Sequence, residues 1–180
     1  MKWFVFSDLH GSAYWCEKTL EAFDREGADR MVFLGDVLNH GPRNDLPERY
    51  GPPEVIDMLN KRRDSILAVC GNCDSDVDQA VLAYPMKAEY AVFSVGGRMI
   101  YATHGHVYNE NNLPPLRKGD ILLHGHTHIP ACEDHGDFLY VNPGSVAIPK
   151  GGSTNSYMII TDDGMEWKDM DGNVTMTYSF

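Results

Sequence analysis

The sequence predicts an α/β fold in a single domain spanning residues 1–180. Three observations carry that reading. Strand-like and helix-like segments alternate up to about residue 82, the pattern of an open, largely parallel sheet. The second half turns to short strands separated by Gly-Gly, Gly-Asp and Asp-Gly turns. Five apolar strands end in Asp, Asn or His, which places polar chemistry beyond the carboxyl ends of the strands, where α/β sheets hold their ligands.

Lys2 to Ser7 reads as the first strand and leads into Asp8-Leu9-His10-Gly11. Ser12 is placed to N-cap a helix running to about Glu26, with Gly27 as its stop. Arg30 to Leu34 is the next strand and ends at Gly35-Asp36. The loop from Val37 to Pro52 is long for a compact domain, which marks it as functional or mobile. Pro53 opens a helix through about Arg63, with Val55, Ile56 and Leu59 on one face. Ile66 to Val69 then leads to Gly71-Asn72-Cys73-Asp74, and a short helix is expected around Val77 to Leu82.

Ala88 to Val95 and Met99 to Thr103 form a hairpin around Gly96-Gly97, and the second strand ends at His104-Gly105-His106. Ile121 to Leu123 is an apolar run that ends in His124-Gly125-His126-Thr127-His128 and is closed by Pro130. Side chains two apart leave a strand on one side, so His126 and His128 can converge beyond its end. Ala131 to Glu133 and Phe138 to Val141 flank Gly136-Asp137, and the tail from Tyr157 to Phe180 reads as a β-meander.

Composition narrows the function. The chain is 43% hydrophobic and 23% charged, ordinary for a globular protein, with a net charge of -11. Such a surface does not attract nucleic acid or anionic membranes, so stable nucleic-acid binding is not expected. An anionic substrate would need a local positive charge, which bound metal supplies. No apolar run reaches the ~18 residues of a membrane span. The apolar start is shorter than a signal peptide's core of about 7–15 residues. Cys16, Cys70, Cys73 and Cys132 show no disulfide framework, and a cytoplasmic location is expected.

Taken singly, an Asp-x-His or a Gly-Asp is a weak signal. Together, Asp8, His10, Asp36, Asn72, His104, His126 and His128 offer seven N/O donors, a set that suits two divalent ions better than one. At this point the sequence resembles a known family. Asp8-x-His10, Gly35-Asp36, Gly71-Asn72-x-Asp74, His104-Gly105-His106 and Gly125-His126-x-His128 are similar to the motif set of the calcineurin-like metallophosphoesterases. Residues 35–44, Gly71-Asn72-Cys73-Asp74 and Asn142-Pro143-Gly144-Ser145-Val146 further resemble the small bacterial YfcE-type phosphodiesterases.

The resemblance implies a four-layer αββα sandwich with two mixed β-sheets, the metallo-dependent phosphatase fold. It implies that Asp8, His10, Asp36 and His128 hold one ion. Asp36, Asn72, His104 and His126 would hold the other, with Asp36 bridging. The ions are expected to be Mn²⁺ first, with Fe, Zn or Ni as alternatives, and to activate water to hydroxide for attack on a small-molecule phosphodiester. Asp36, Asn72, His106 and Cys73 are the residues expected to act on substrate, with His106 touching substrate or solvent.

Cys73 stands where many of these enzymes have a histidine that protonates the leaving group, so diesters and activated leaving groups are favoured. A monoesterase or protein phosphatase on the same site is the alternative enzyme. A non-catalytic interaction module, like the retromer subunit of this fold, is the alternative of another class. The Cys70-x-x-Cys73 spacing alone does not make a redox site. Asp74 either orients a histidine or caps the next helix. Arg43 and Asn39 are either phosphate contacts or surface residues. Cys16 and Cys132 are expected to pack. His40, His124 and His135 receive no role, and a homo-oligomer is left open.

Overall fold

The computed structural model describes residues 1–180. Its first sheet runs in the order β11-β10-β9-β1-β2-β3 and its second in the order β4-β5-β6-β8-β7. In the first, β1 (Trp3–Phe6), β2 (Arg30–Phe33) and β3 (Ile66–Ala68) are parallel. The tail strands β9 (Ser156–Thr161), β10 (Gly164–Asp169) and β11 (Val174–Ser179) join them antiparallel as the expected meander. In the second, β5 (Arg98–Thr103), β6 (Asp120–His124) and β8 (Phe138–Pro143) are parallel. The edges β4 (Tyr90–Val95) and β7 (Pro130–Asp134) are antiparallel. Both sheets are therefore mixed. The largely parallel sheet suggested by the first 82 residues is corrected by the tail, which adds three antiparallel strands to the same sheet.

The two-residue period of a strand explains the layering. Phe4 and Phe6 face α1 (Ala13–Glu26) and α2 (Pro52–Asn60), where Ala13, Cys16, Phe23, Val55 and Leu59 complete a buried cluster. Trp3 and Val5 point the other way, into a second core shared with Ile100, Ile121, Leu123, Val141 and Trp167 between the sheets. Trp167 ties the sheets directly, its indole N–H donating to Asn142 O at 2.6 Å. The outer layer on the second sheet is irregular. Residues 104–119 carry no helix, and Glu110 from this segment reaches His124 on β6.

Helix ends follow their local chemistry. Ser12 accepts from Trp15 N, and Gly27 closes α1 in the left-handed conformation. The second helix stops at Asn60 rather than at Arg63. Its buried face ends at Leu59, and a 3₁₀ turn over Arg63–Ser65 carries the chain into β3. The third, α3 (Asp76–Val81), begins at a Ser75/Asp78 capping box.

Candidate metal centre

The carboxyl ends of β1, β2 and β3 in one sheet and of β5 and β6 in the other open onto the same edge of the sandwich. All seven expected ligands stand there. His10 Nε2 lies 3.7 Å from both Asp8 Oδ1 and Asp36 Oδ2, and His128 Nε2 lies 3.3 Å from Asp8 Oδ1. On the other flank, His104 Nε2 is 3.5 Å from Asp36 Oδ2, 3.0 Å from Asn72 Oδ1 and 3.2 Å from His126 Nδ1. Asp36 thus stands between a His10/His128 group and a His104/Asn72/His126 group.

The loops are held across the sheets. His126 N donates to Asp8 Oδ2 at 3.0 Å, His10 N to Asp36 O at 2.9 Å, and Ser145 Oγ to Asp8 O at 2.9 Å. Two glycines make the approach close enough. A Cβ on Gly71 would overlap the Asp36 carboxylate, and one on Gly125 would overlap Ser7 Oγ. The ligand loops are also strained. The non-glycine residues with positive φ are Asp8, His10, Asp36, Arg49, His126 and His128, all but Arg49 from the expected ligand set. Each such residue costs on the order of 1–3 kcal/mol and persists only where its surroundings over-determine it.

Backbone carbonyls set which histidine nitrogen faces inward. His10 Nδ1 meets Asn39 O at 2.8 Å, His104 Nδ1 meets Leu34 O at 2.7 Å, and His128 Nδ1 meets Ile148 O. All three rings therefore present Nε2 to the cluster, whereas His126 presents Nδ1.

The donor set fits divalent metal. Asp8 Oδ1 is buried and makes no hydrogen bond. Ligand atoms gather within 4.8 Å in the groups Asp8/His10/His128, Asp8/Asp36/His104 and His10/Asp36/Cys73. The acids draw positive charge to themselves. Burial opposes ionisation of Asp8, but His10 and His128 outweigh it and hold the carboxyl well below its usual range. Burial likewise opposes protonation of His104, but Asp36 and Asp8 raise it to about 9. An ion would supply the charge that these protons otherwise provide.

Other expectations meet a mixed outcome. His106 is exposed, with its ring centroid 5.3 Å from that of His104 and 6.4 Å from that of His126, and it does not line the cleft over the cluster. Cys73 lies at the site, where Asn72 Nδ2 donates to its Sγ at 3.3 Å. Burial and then Asp36 push its thiol up to about 12, so the chain's own field opposes the thiolate that adjacent metal would favour. Asp74 neither orients a histidine nor caps α3. It accepts from Gly71 N at 2.7 Å, Val37 N at 2.8 Å and Asp36 N at 2.9 Å, clamping the Asn72 loop to the Asp36 turn. Asn39 acts through backbone and side chain together, its carbonyl meeting His10 and its side-chain Oδ1 accepting from Gly41 N.

Sequence reasoning passed over Lys150 and His124. Lys150 joins Arg43 in lining the cleft over the cluster, a space of about 400 Å³. Nothing local signals it, because it reaches the site only by pairing its N–H with His128 O at 3.2 Å. His124 is buried behind the ligand loop, stacked on Tyr140 and bonded to Glu110 Oε2 at 2.9 Å.

A calcineurin-like phosphoesterase superfamily domain matches residues 1–164. Over 163 residues the chain is 47% identical to phosphodiesterase YfcE of Escherichia coli (strain K12), covering 91% of this chain and 89% of that one. The structure of YfcE, described as a phosphoesterase from E. coli, superposes with a TM-score of 0.95 at 43% identity, covering 99% of both chains. Vacuolar protein sorting 29 from Cryptosporidium parvum, at 20% identity and a TM-score of 0.63 over 99% of this chain and 98% of that one, shares the fold alone. With the family match spanning most of its length and a relative at 47% identity, the chain belongs to the calcineurin-like phosphoesterase superfamily.

Proposed function

We propose that the chain is a metal-dependent phosphodiesterase acting on a small-molecule phosphodiester. The observation that carries the reading is the position of Asp36, with Oδ2 3.7 Å from His10 Nε2 on one flank and 3.5 Å from His104 Nε2 on the other. Asp8, His10, Asp36 and His128 hold one divalent ion. Asp36, Asn72, His104 and His126 hold a second, with Asp36 shared. When bound, such ions supply Lewis-acid activation of water and charge neutralisation at phosphorus. The all-N/O donor set suits Mn²⁺ and admits Fe, Zn or Ni.

The chain's own residues set the rest. Carbonyls of Asn39, Leu34 and Ile148 fix three histidine rings, and Asp74 fixes the Asp36 turn. His106, exposed beside His104 and His126, is read as a contact to substrate or solvent at the rim. Cys73 occupies the position expected to protonate the leaving oxygen and is a weak acid for that task. A diester with a good leaving group needs this help least. A scaffold reading has the fold in its favour but leaves unexplained seven donors gathered at one edge, all but Asn72 and His104 held in strained backbone. The relative named phosphodiesterase supports the diester over the monoester. Four free cysteines suit a reducing compartment, which supports a cytoplasmic location.

The test is titration of the chelator-stripped protein with Mn²⁺ by calorimetry, in parallel with hydrolysis of bis(4-nitrophenyl) phosphate and 4-nitrophenyl phosphate. Two equivalents of metal and metal-dependent turnover favouring the diester are expected. Full activity after exhaustive chelation would refute the reading.

A further inference from the structure

The ligand cluster accounts for the floor of the cleft but not for two cations beside it. Arg43 and Lys150 are exposed, line the cleft, and make no side-chain hydrogen bond or ion pair. Most other cations of the chain are partnered, as Lys2 and Lys168 are with Glu26, Arg62 with Asp24, and Arg49 with Glu17 and Glu54, while Lys61, Arg98 and Arg117 are likewise without a side-chain hydrogen bond or ion pair but do not line the cleft. The backbones that carry the two free head groups are nevertheless tied down. Gly41 sits so near Cys73 that a Cβ would come within 3.1 Å of its Sγ. Asn44 Nδ2 donates to His40 O at 2.8 Å, closing the turn around Arg43. Lys150 N donates to His128 O at 3.2 Å, and Lys150 O accepts from Ser153 Oγ at 2.7 Å. The loops that carry the two cations are tied to Cys73 and to His128, and no other Lys or Arg lines the cleft.

In a chain of net charge -11, two unpaired cations meet in a cleft where Asp36 is the only carboxylate. Anchored backbone with free cationic heads is how a protein prepares an anion site. A phosphodiester with neutral arms carries one negative charge, at the reacting phosphorus, where bound divalent ions would already neutralise it, so the charge of these two further cations matches a second anionic group.

We propose that Arg43 and Lys150 form an anion subsite beside the ligand cluster, and that the preferred substrate is a small phosphodiester with a further phosphate or carboxylate on one ester arm. Arginine offers a bidentate fork to such a group and lysine a point charge. The acidic surface as a whole disfavours a polyanion, which restricts the ligand to a small molecule. This rests on the phosphodiesterase reading above.

The test holds the leaving group constant and varies the arm. 4-Nitrophenyl diesters with methyl, 2-phosphoethyl, 2-carboxyethyl and choline arms are compared on the Mn²⁺-loaded protein. The expected order of kcat/KM is anionic above neutral above cationic, with the anionic arms favoured roughly 10-fold, chiefly through KM. The preference should shrink as salt rises from about 0.02 M to about 0.5 M. Arg43→Gln and Lys150→Gln should each cut the anionic-to-neutral ratio several-fold, the double variant should bring it near unity, and Arg43→Lys should restore part of it. A wild-type ratio near unity, or a ratio that survives in the double variant while the methyl diester is still hydrolysed, overturns the subsite alone. Absence of hydrolysis of every diester overturns the phosphodiesterase reading and the subsite with it. Stronger competition by an oligonucleotide of about 20 residues than by the phosphoethyl ester overturns the small-molecule assignment.

Discussion

At the start of β1, Glu26 accepts from Lys2 and Lys168 at 3.0 Å and from the Tyr157 hydroxyl at 2.8 Å. Beyond the end of the same strand, Asp8 crowds against His10 and His128 with one oxygen making no hydrogen bond. The first cluster brings acid and base together from within the chain and is complete. The second gathers acids, imidazoles and left-handed backbone, and on the function proposed above a cation from outside would complete it. A cluster that completes itself contributes to stability alone. One that stays short of charge stores strain against a ligand. Removing a residue from either end should separate the two kinds of contribution.

The largest effect is expected at Asp36. Asp36→Asn removes the carboxylate shared by the two flanks and should lower kcat/KM roughly 10³-fold, since preorganised electrostatics commonly contribute more to catalysis than any other single effect. Asp74→Asn acts only through the Asp36 turn. It should cost about 10–100-fold, in part recoverable by excess metal, together with about 1–2 kcal/mol of stability from loosened backbone donors. Steady-state kinetics across a metal titration separate the two, and a larger loss at Asp74 would place the essential group there instead.

Cys73 tests what the incomplete cluster lacks in chemistry. Positioned acid catalysis is worth roughly 10²–10⁴ in rate, and an imidazole near pKa ~6.5 serves neutral pH better than the Cys73 thiol, which burial and Asp36 push up to about 12. Cys73→His should raise hydrolysis of esters with poor leaving groups by about 10²-fold relative to nitrophenyl esters. Cys73→Ser should leave activated diesters largely untouched. The slope of log rate against leaving-group pKa reads the effect, and an unchanged slope in Cys73→His removes this position from proton transfer.

These positions also mark how far sequence alone reaches. The seven candidate ligands are legible because each follows an apolar strand, and the parallel strands of both sheets end on one side. Asp74 escapes a local reading because two of its three partners lie more than thirty residues back, on the backbone of Asp36 and Val37, where no local pattern points. Lys150 escapes it for the same reason, its link to His128 being one backbone hydrogen bond between distant loops. His124 looks like part of a polar motif, yet the alternation of β6 turns it away from Leu123 toward Glu110 and Tyr140. The end of α2 falls short of the expected Arg63 because the periodicity of Val55 and Leu59 does not show where the next turn tightens.

Metal should act on stability only through the end that lacks it. A ligand that binds the folded state alone at about 100 times its Kd adds about 2.7 kcal/mol. Mn²⁺ is therefore expected to raise the Tm of the chelated protein, and Asp36→Asn should abolish most of the rise. Glu26→Gln should keep it. Differential scanning fluorimetry with and without metal decides the matter, and loss of the metal increment in Glu26→Gln would mean the two ends are coupled.

The smallest effect concerns Glu26 and can be set by pH. Burial opposes its ionisation, but Lys168, Lys2 and Tyr157 outweigh it and hold the carboxyl below its usual range. A depressed folded-state pKa means that the unfolded chain binds the proton more readily. The stabilisation is therefore fully present above the unfolded value near ~4.3 and is lost as pH falls through the lower folded value. Solvent screening at this partly open cluster limits the contribution to about 1 kcal/mol. Glu26→Gln should thus be about 1 kcal/mol less stable than wild type at pH 7, with the gap closing below about pH 4. Urea unfolding of both proteins, metal-free at each pH, measures the gap directly and cancels the titration of the ligand cluster common to both. A gap that widens on acidification would reverse the sign of the linkage and show that burial, not the two lysines, governs Glu26.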